Sequence, residues 1–217
     1  MASRDRKFEA SLFLVPNPAP SPRPDEALVA AFRLGEPDAA QQIWEQYAPL
    51  VDRVLRRFLG PDADTEDLAQ EVFLRCFSRL HTLEDPGALR SFIYSIAVRV
   101  FRWEIRRRRV RRWVQPRPEQ SLPELATASQ DFEARQAVSR FFRILDRLGP
   151  GDRAIFVIRH FEGLSNDEGA RSVGTSVATF KRRLAKASNR VAYFVERDAA
   201  LIEYMQTTSG RGAGNER

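Results

Sequence analysis

Apolar residues recur at helical spacing along most of this chain, and no stretch alternates apolar with polar residues as a half-buried strand does. Ala27, Leu28, Ala31, Phe32 and Leu34 set the pattern. Ile43, Trp44, Tyr47, Leu50, Val51, Val54, Leu55 and Phe58 continue it, then Leu68, Val72, Phe73, Phe77 and Leu80. Leu89, Phe92, Ile93, Ile96, Ala97 and Val100 open a helix that runs on into RWEIRRRRVRRW. A chain with this one period can bury its apolar stripes only by laying helix on helix. Gly60-Pro61, Pro86-Gly87 and Gly149-Pro150-Gly151 break the pattern briefly. One break is longer: residues 114–130, VQPRPEQSLPELATASQ, hold three prolines and little periodicity. The fold class expected is therefore all-α, two small helical domains joined by a flexible linker. The boundaries are 1–24 (a proline-rich mobile leader), 25–113, the linker 114–130, 131–198 and a C-terminal tail 199–217; a last helical stretch is expected to run to about Tyr204, with TTSGRGAGNER frayed beyond it.

The segment LSNDEGARSVGTSVATFKRRLAKA is the most informative. Ser165 can cap a helix, with Glu168 three residues on to complete a capping box. Gly174 stands where a tight turn needs positive φ, and Ser176 can cap a second helix. On that helix Val177, Phe180, Leu184 and Ala187 share one face. Thr179, Arg182, Arg183, Lys186 and Arg190 share the other. No acid falls between Glu168 and Glu196, across six arginines or lysines. A helix with an apolar back and a basic front suits the major groove of DNA, although most basic stripes are simply solvated. The turn, the two caps and the charge asymmetry together point to a helix-turn-helix that binds DNA.

The stretch GDRAIFVIRHFEGLSNDEGARSVGTSVATFKRRLAKA resembles region 4 of bacterial RNA polymerase sigma factors. DADTEDLAQEVFLRCFSRL resembles their region 2.2, and GALRSFIYSIAVRVFRWEIRRRR their regions 2.3 and 2.4. The two regions in this order, with a short linker, are similar to the extracytoplasmic-function group, and the likeness spans residues 25–195. It implies that residues 25–113 bind core polymerase and melt promoter DNA. Residues 131–198 would read the upstream promoter element, and an anti-sigma factor is a possible partner. Three positions depart from the family pattern. Gly169 replaces a bulky aliphatic, Phe180 replaces a small β-branched residue, and Arg99 replaces an asparagine. The first two face each other in such motifs, so the Phe180 ring is expected to fill the space over Gly169.

Region 2 carries two charge clusters. Asp62, Asp64, Glu66, Asp67 and Glu71 gather where a helix begins, with Asp64 as cap and Asp67 at N3. Complementarity with the helix dipole accounts for part of this. The face of Asp67, Gln70, Glu71 and Arg75 is left over, and by resemblance it docks on the coiled coil of the polymerase's largest subunit. The following helix carries Arg90, Tyr94, Arg99, Arg102, Trp103, Arg106 and Arg107. Arginine draws in phosphates and aromatics stack on unpaired bases, so this helix suits capture of a melted strand. Tyr94 and Trp103 are the base-stacking candidates, whereas Phe92 lies on the apolar stripe. The remaining DNA-binding candidates are Ser176, Thr179, Lys181, Arg182, Arg183 and Lys186, on the second helix of the motif.

Composition agrees without deciding. There are 35 Lys or Arg against 29 acids, and only Lys7, Lys181 and Lys186 are lysine. Arginine bias suits nucleic acid and equally follows from a GC-rich coding sequence. His81 and His160 sit apart without metal-ligand spacing, and no glycine-rich phosphate loop occurs, so no catalytic residue, metal or cofactor is expected. Cys76 is the only cysteine and falls on an apolar stripe, which suits a thiol-keeping cytoplasm. No apolar run approaches the roughly 18 residues of a membrane span. The rival reading is a stand-alone helix-turn-helix regulator with an N-terminal sensor or dimerisation domain. A sensor has no need of eight arginines between Arg99 and Arg112.

Overall fold

The structure is a computed structural model that describes residues 24–61, 63–114 and 130–212. Among the described residues all regular structure is helical. The N-terminal half holds α1 (Asp25–Arg33), α2 (Ala39–Leu59), α3 (Glu66–Arg79) and the long α4 (Leu89–Val114). Two single 3₁₀ turns, Leu80–Thr82 and Pro86–Ala88, lie between α3 and α4. The C-terminal half holds α5 (Gln130–Asp146), α6 (Pro150–His160), α7 (Asn166–Val173), α8 (Val177–Val195) and α9 (Ala199–Gly212). The proline-rich leader, most of the linker 114–130 and the last five residues of the tail lie outside the described residues.

Each half buries the stripes expected of it. In the first, Val54 and Phe58 of α2, Val72 and Phe73 of α3 and Ile93, Ala97 and Phe101 of α4 are sealed from solvent. Phe58 and Phe101 stack with ring centroids 4.7 Å apart. Cys76 lies in this core, and burial pushes its thiol up to about 12. In the second half Phe141 packs against Phe156 and Phe161, at 6.5 and 6.0 Å. Pro150 opens α6 at its first turn, where a missing N–H costs nothing.

Two local details differ from expectation. Thr65, not Asp64, holds the cap position of α3; Asp64 instead accepts from the Glu66 N–H at 3.3 Å. The last helix continues past Tyr204 to Gly212, into the segment expected to fray. Asp198 accepts from the Leu201 N–H at 3.2 Å and so caps α9, and Leu201 is fully buried. Helix α9 rests on α5 and belongs structurally to the C-terminal half.

The halves are not separate beads. Helix α4 lies along α7 more extensively than any other two helices meet, and it also touches α6. Helix α2 reaches α6 as well.

Candidate nucleic-acid and polymerase interfaces

The helix-turn-helix is built as its residues dictate. Ser165 accepts from the Glu168 N–H at 3.2 Å, and Glu168 accepts from the Ser165 N–H at 2.8 Å, a closed capping box. Hydrogen bonding to the Glu168 carboxyl by the Ser165 hydroxyl, and then by the Ser165 backbone N–H, holds it below its ordinary value. Gly174 sits at φ 68°, ψ 49° and ends α7 in the left-handed region. Ser176 then caps α8 by accepting from the Thr179 N–H at 3.3 Å. The back of α8 is buried at Phe180, Ala187 and Val191. A Cβ built on Gly169 would meet Phe180 Cζ at 2.5 Å, so the ring occupies the volume that a side chain at 169 would need.

The front of α8 presents Ser176, Lys181, Arg182 and Lys186 to solvent. Thr179 is half-buried, and its hydroxyl accepts from Ser176 at 2.9 Å. Arg183 departs from the expected exposed position. It is half-buried and bound to Asp152 of α6, with Nε and Nη2 at 2.8 and 2.7 Å from one carboxylate oxygen.

Helix α4 divides its candidates more sharply. Arg99, Trp103, Arg106 and Arg107 are exposed, and Arg107 lies over the Trp103 ring at 5.1 Å. Glu104, buried among these arginines, pairs with Arg107 and Arg108 at 3.1 and 2.7 Å. Arg90 stands over the Tyr94 ring at 5.7 Å. Tyr94 itself, expected to be available for base stacking, is 0% exposed. Its hydroxyl donates at 2.7 Å to Glu162, on the turn after α6. Burial, then the Glu162 carboxylate, raises the phenol above its ordinary value. Tyr94 falls on the side of α4 that the C-terminal half covers, and sequence periodicity carries no sign of that cover. Arg102 is half-buried, and burial followed by the nearby Arg183 and Arg99 charges lowers it from its ordinary value.

On α3, Asp67 and Gln70 are exposed, while Glu71 and Arg75 are half-buried and joined at 2.6 Å. The sequence reading missed Leu74, which stands 66% exposed between them. Its signal was present: Leu74 is four residues from Gln70, on the polar side of a helix whose stripe runs through Val72, Phe73 and Cys76. It also missed Glu162, which carries no motif and is defined only by partners distant in sequence.

Among the described residues no helix is long and apolar enough to cross a membrane, and no group of ligating side chains could hold a metal ion. The sigma-70 region 2 family matches residues 43–111, and the sigma-70 region 4 family matches residues 139–191. The ferric citrate uptake sigma factor FecI of Escherichia coli is 30% identical over 146 residues, covering 64% of this chain and 81% of FecI. The RNA polymerase sigma factor NccH of Alcaligenes xylosoxydans xylosoxydans is 24% identical over 179 residues, covering 81% of this chain and 96% of NccH. In fold, the chain is similar to CnrH solved with the cytosolic domain of CnrY. That likeness has a TM-score of 0.60 at 22% identity, over 82% of this chain and all of that one. Residues 43–111, which the rival reading would give to a sensor or dimerisation domain, match sigma-70 region 2 instead. The chain belongs to the extracytoplasmic-function group of RNA polymerase sigma factors, which bind core polymerase and direct it to start transcription at promoters.

Proposed function

We propose that this sigma factor divides its work by helix. Helix α8 reads the duplex upstream element through Ser176, Thr179, Lys181, Arg182, Arg183 and Lys186. Helix α4 takes the melted downstream strand with Arg90, Tyr94, Arg99, Arg102, Trp103, Arg106 and Arg107. The α3 face of Asp67, Gln70, Glu71 and Arg75 docks on core polymerase, with exposed Leu74 as its apolar centre. The observation that carries the upstream assignment is the geometry of α7 and α8: a closed capping box, a left-handed glycine turn, and a helix with a buried apolar back and an exposed cationic front. Such a helix can enter the major groove while its cations meet phosphates. The domain limits follow the same division, 25–113 for the first and 131–198 for the second with helix α9 added to it, and the working compartment is the cytoplasm.

RpoE of Bartonella quintana was solved in complex with the anti-sigma factor NepR, and a protein partner of that kind is proposed for this chain as well. Run-off transcription with purified core polymerase tests the central reading. Added chain should confer promoter-specific starts. Transcripts that do not depend on the chain would overturn it.

A further inference from the structure

Past Lys186 the exposed face of α8 continues through Arg190 and Tyr193 to Arg197, just beyond the helix end, at steps of three or four residues that keep to one side of a helix. A cleft of about 630 Å³ opens on this face, lined by Lys186, Asn189, Arg190, Tyr193 and Phe194. Tyr193 is 51% exposed. Arg147, on the turn between α5 and α6, borders the cleft with its guanidinium 4.6 Å over the Phe194 ring. Arg190 Nη2 donates to the Arg147 carbonyl at 3.1 Å and ties that turn to α8. Arg197 lies 3.5 Å over the Tyr193 ring and donates from Nη1 to the Tyr193 carbonyl at 3.2 Å. We propose that this cleft is a second DNA contact, in which Arg147, Arg190 and Arg197 hold the phosphodiester backbone flanking the upstream element, whatever its sequence.

Charge decides the class of ligand. Arg147, Lys186, Arg190 and Arg197 form no ion pair among the described residues. Of the acids nearby in sequence, Asp146 is taken up by Arg153 and Asp198 by Arg140, which leaves exposed Glu196 beside Arg197. Four cations against one acid make the cleft strongly positive. Its placement then favours a nucleic-acid backbone over an acidic protein. The cations stand in line with Thr179, Arg182 and Lys186, and from Thr179 to Tyr193 the stripe runs roughly 21 Å. A major groove is about 12 Å wide. A helix whose first turns meet base edges therefore carries its far turns to the groove wall, where phosphates stand in a row. Where a recognition helix is long, its C-terminal end contacts the backbone in this way. A guanidinium stacked on a ring also keeps its N–H edge outward and fixed, the arrangement that forks a phosphate.

This contact rests on the reading of α8 as the upstream-element helix, and the test separates the two. Core polymerase carrying the parent or a variant chain is titrated, at rising salt, onto a fluorescein-labelled promoter duplex that supports run-off transcription. Each phosphate contact contributes about 0.9 to the slope of log affinity against log salt. Arg147→Ala, Arg190→Ala and Arg197→Ala should each flatten that slope by about 0.9, so that a fourfold rise in salt costs each variant roughly threefold less affinity than the parent. The same flattening should appear on a duplex with the upstream element scrambled. Arg190→Lys should restore the parent slope, because a point charge suffices for a phosphate. Parent slopes in all three alanine variants overturn the proposal and leave the cleft to an acidic partner. An Arg190→Lys slope as flat as that of Arg190→Ala overturns it as well, by showing a structural role. The reading of α8 is judged apart from these. Arg182→Ala should weaken the preference for the intact over the scrambled element, and an undiminished preference would sink that reading instead.

Discussion

At Phe180 a substitution that looks unfavourable is compensated by its neighbour. The ring is 0% exposed and fills the space over Gly169, where a glycine in a helix interior otherwise costs about 1 kcal/mol relative to alanine. Phe180→Ala should therefore destabilise the chain by roughly 3–5 kcal/mol in urea unfolding. Gly169→Ala should destabilise too, despite better helix propensity, because its methyl would meet the ring. Phe180→Val combined with Gly169→Ile should recover part of the loss, so the two sites should be non-additive by about 0.5–3 kcal/mol. Strict additivity would show that ring and glycine are independent. Arg182 and Arg183, adjacent on α8, should behave differently. Arg182 is exposed, so Arg182→Ala should change stability by under about 0.5 kcal/mol while weakening upstream-element binding. Arg183→Ala also removes the Asp152 pair and should lower the melting temperature further than Arg182→Ala does.

Among the helices, the ends decide more than the middles. Helix α7 has only eight residues, so its capping box supplies much of what holds it in register. Because Glu168 is held below its ordinary value of 4.5, its contribution is complete above that pH and declines as pH falls below it. Ser165→Ala should reduce this acid-linked loss, seen as a shallower fall of stability in acid relative to the parent. Equal slopes would mean that Glu168 titrates without its cap. Helix α9 depends on Asp198, which caps Leu201 and pairs with Arg140 at 3.3 Å. Asp198→Ala should cost about 0.5–2 kcal/mol, read as faster amide exchange through α9. Exchange unchanged there would show that Leu201 packing alone holds the helix.

For the whole molecule, the closure between the halves makes stability a shared property. Glu162, Tyr94, Arg53 and Arg57 join elements more than a hundred residues apart at their widest. Heat should therefore unfold the chain in one transition, with circular dichroism and tryptophan fluorescence coincident. The tryptophans at 44, 103 and 113 all lie before residue 114, whereas the helical signal comes from both halves. Glu162→Gln should pull the two probes apart. Coincident curves in that variant would mean that apolar contact alone couples the halves.

How much of this was legible depended on the range of the interactions. Helical period, proline breaks, capping residues and the glycine turn act within a few residues, so the all-α class and the helix-turn-helix could be read directly, whereas the facing of Phe180 on Gly169 followed from the resemblance to such motifs. The Arg-rich character of α4 and the acid-led start of α3 are likewise local. The end of helix α9 beyond Tyr204 escaped because the apolar pattern gives out there, in TTSGRG. Tyr94 escaped because it lies at the edge of its own helix's stripe, and what buries it is a turn 68 residues away. Glu162 was the least legible, since a carboxylate after a helix end is ordinarily solvated. Sequence determined which helices form and which faces are apolar or cationic, because those follow from nearest neighbours along the chain. Only the tertiary structure decided which cationic face is covered, because burying a charge depends on partners that distant segments bring to it.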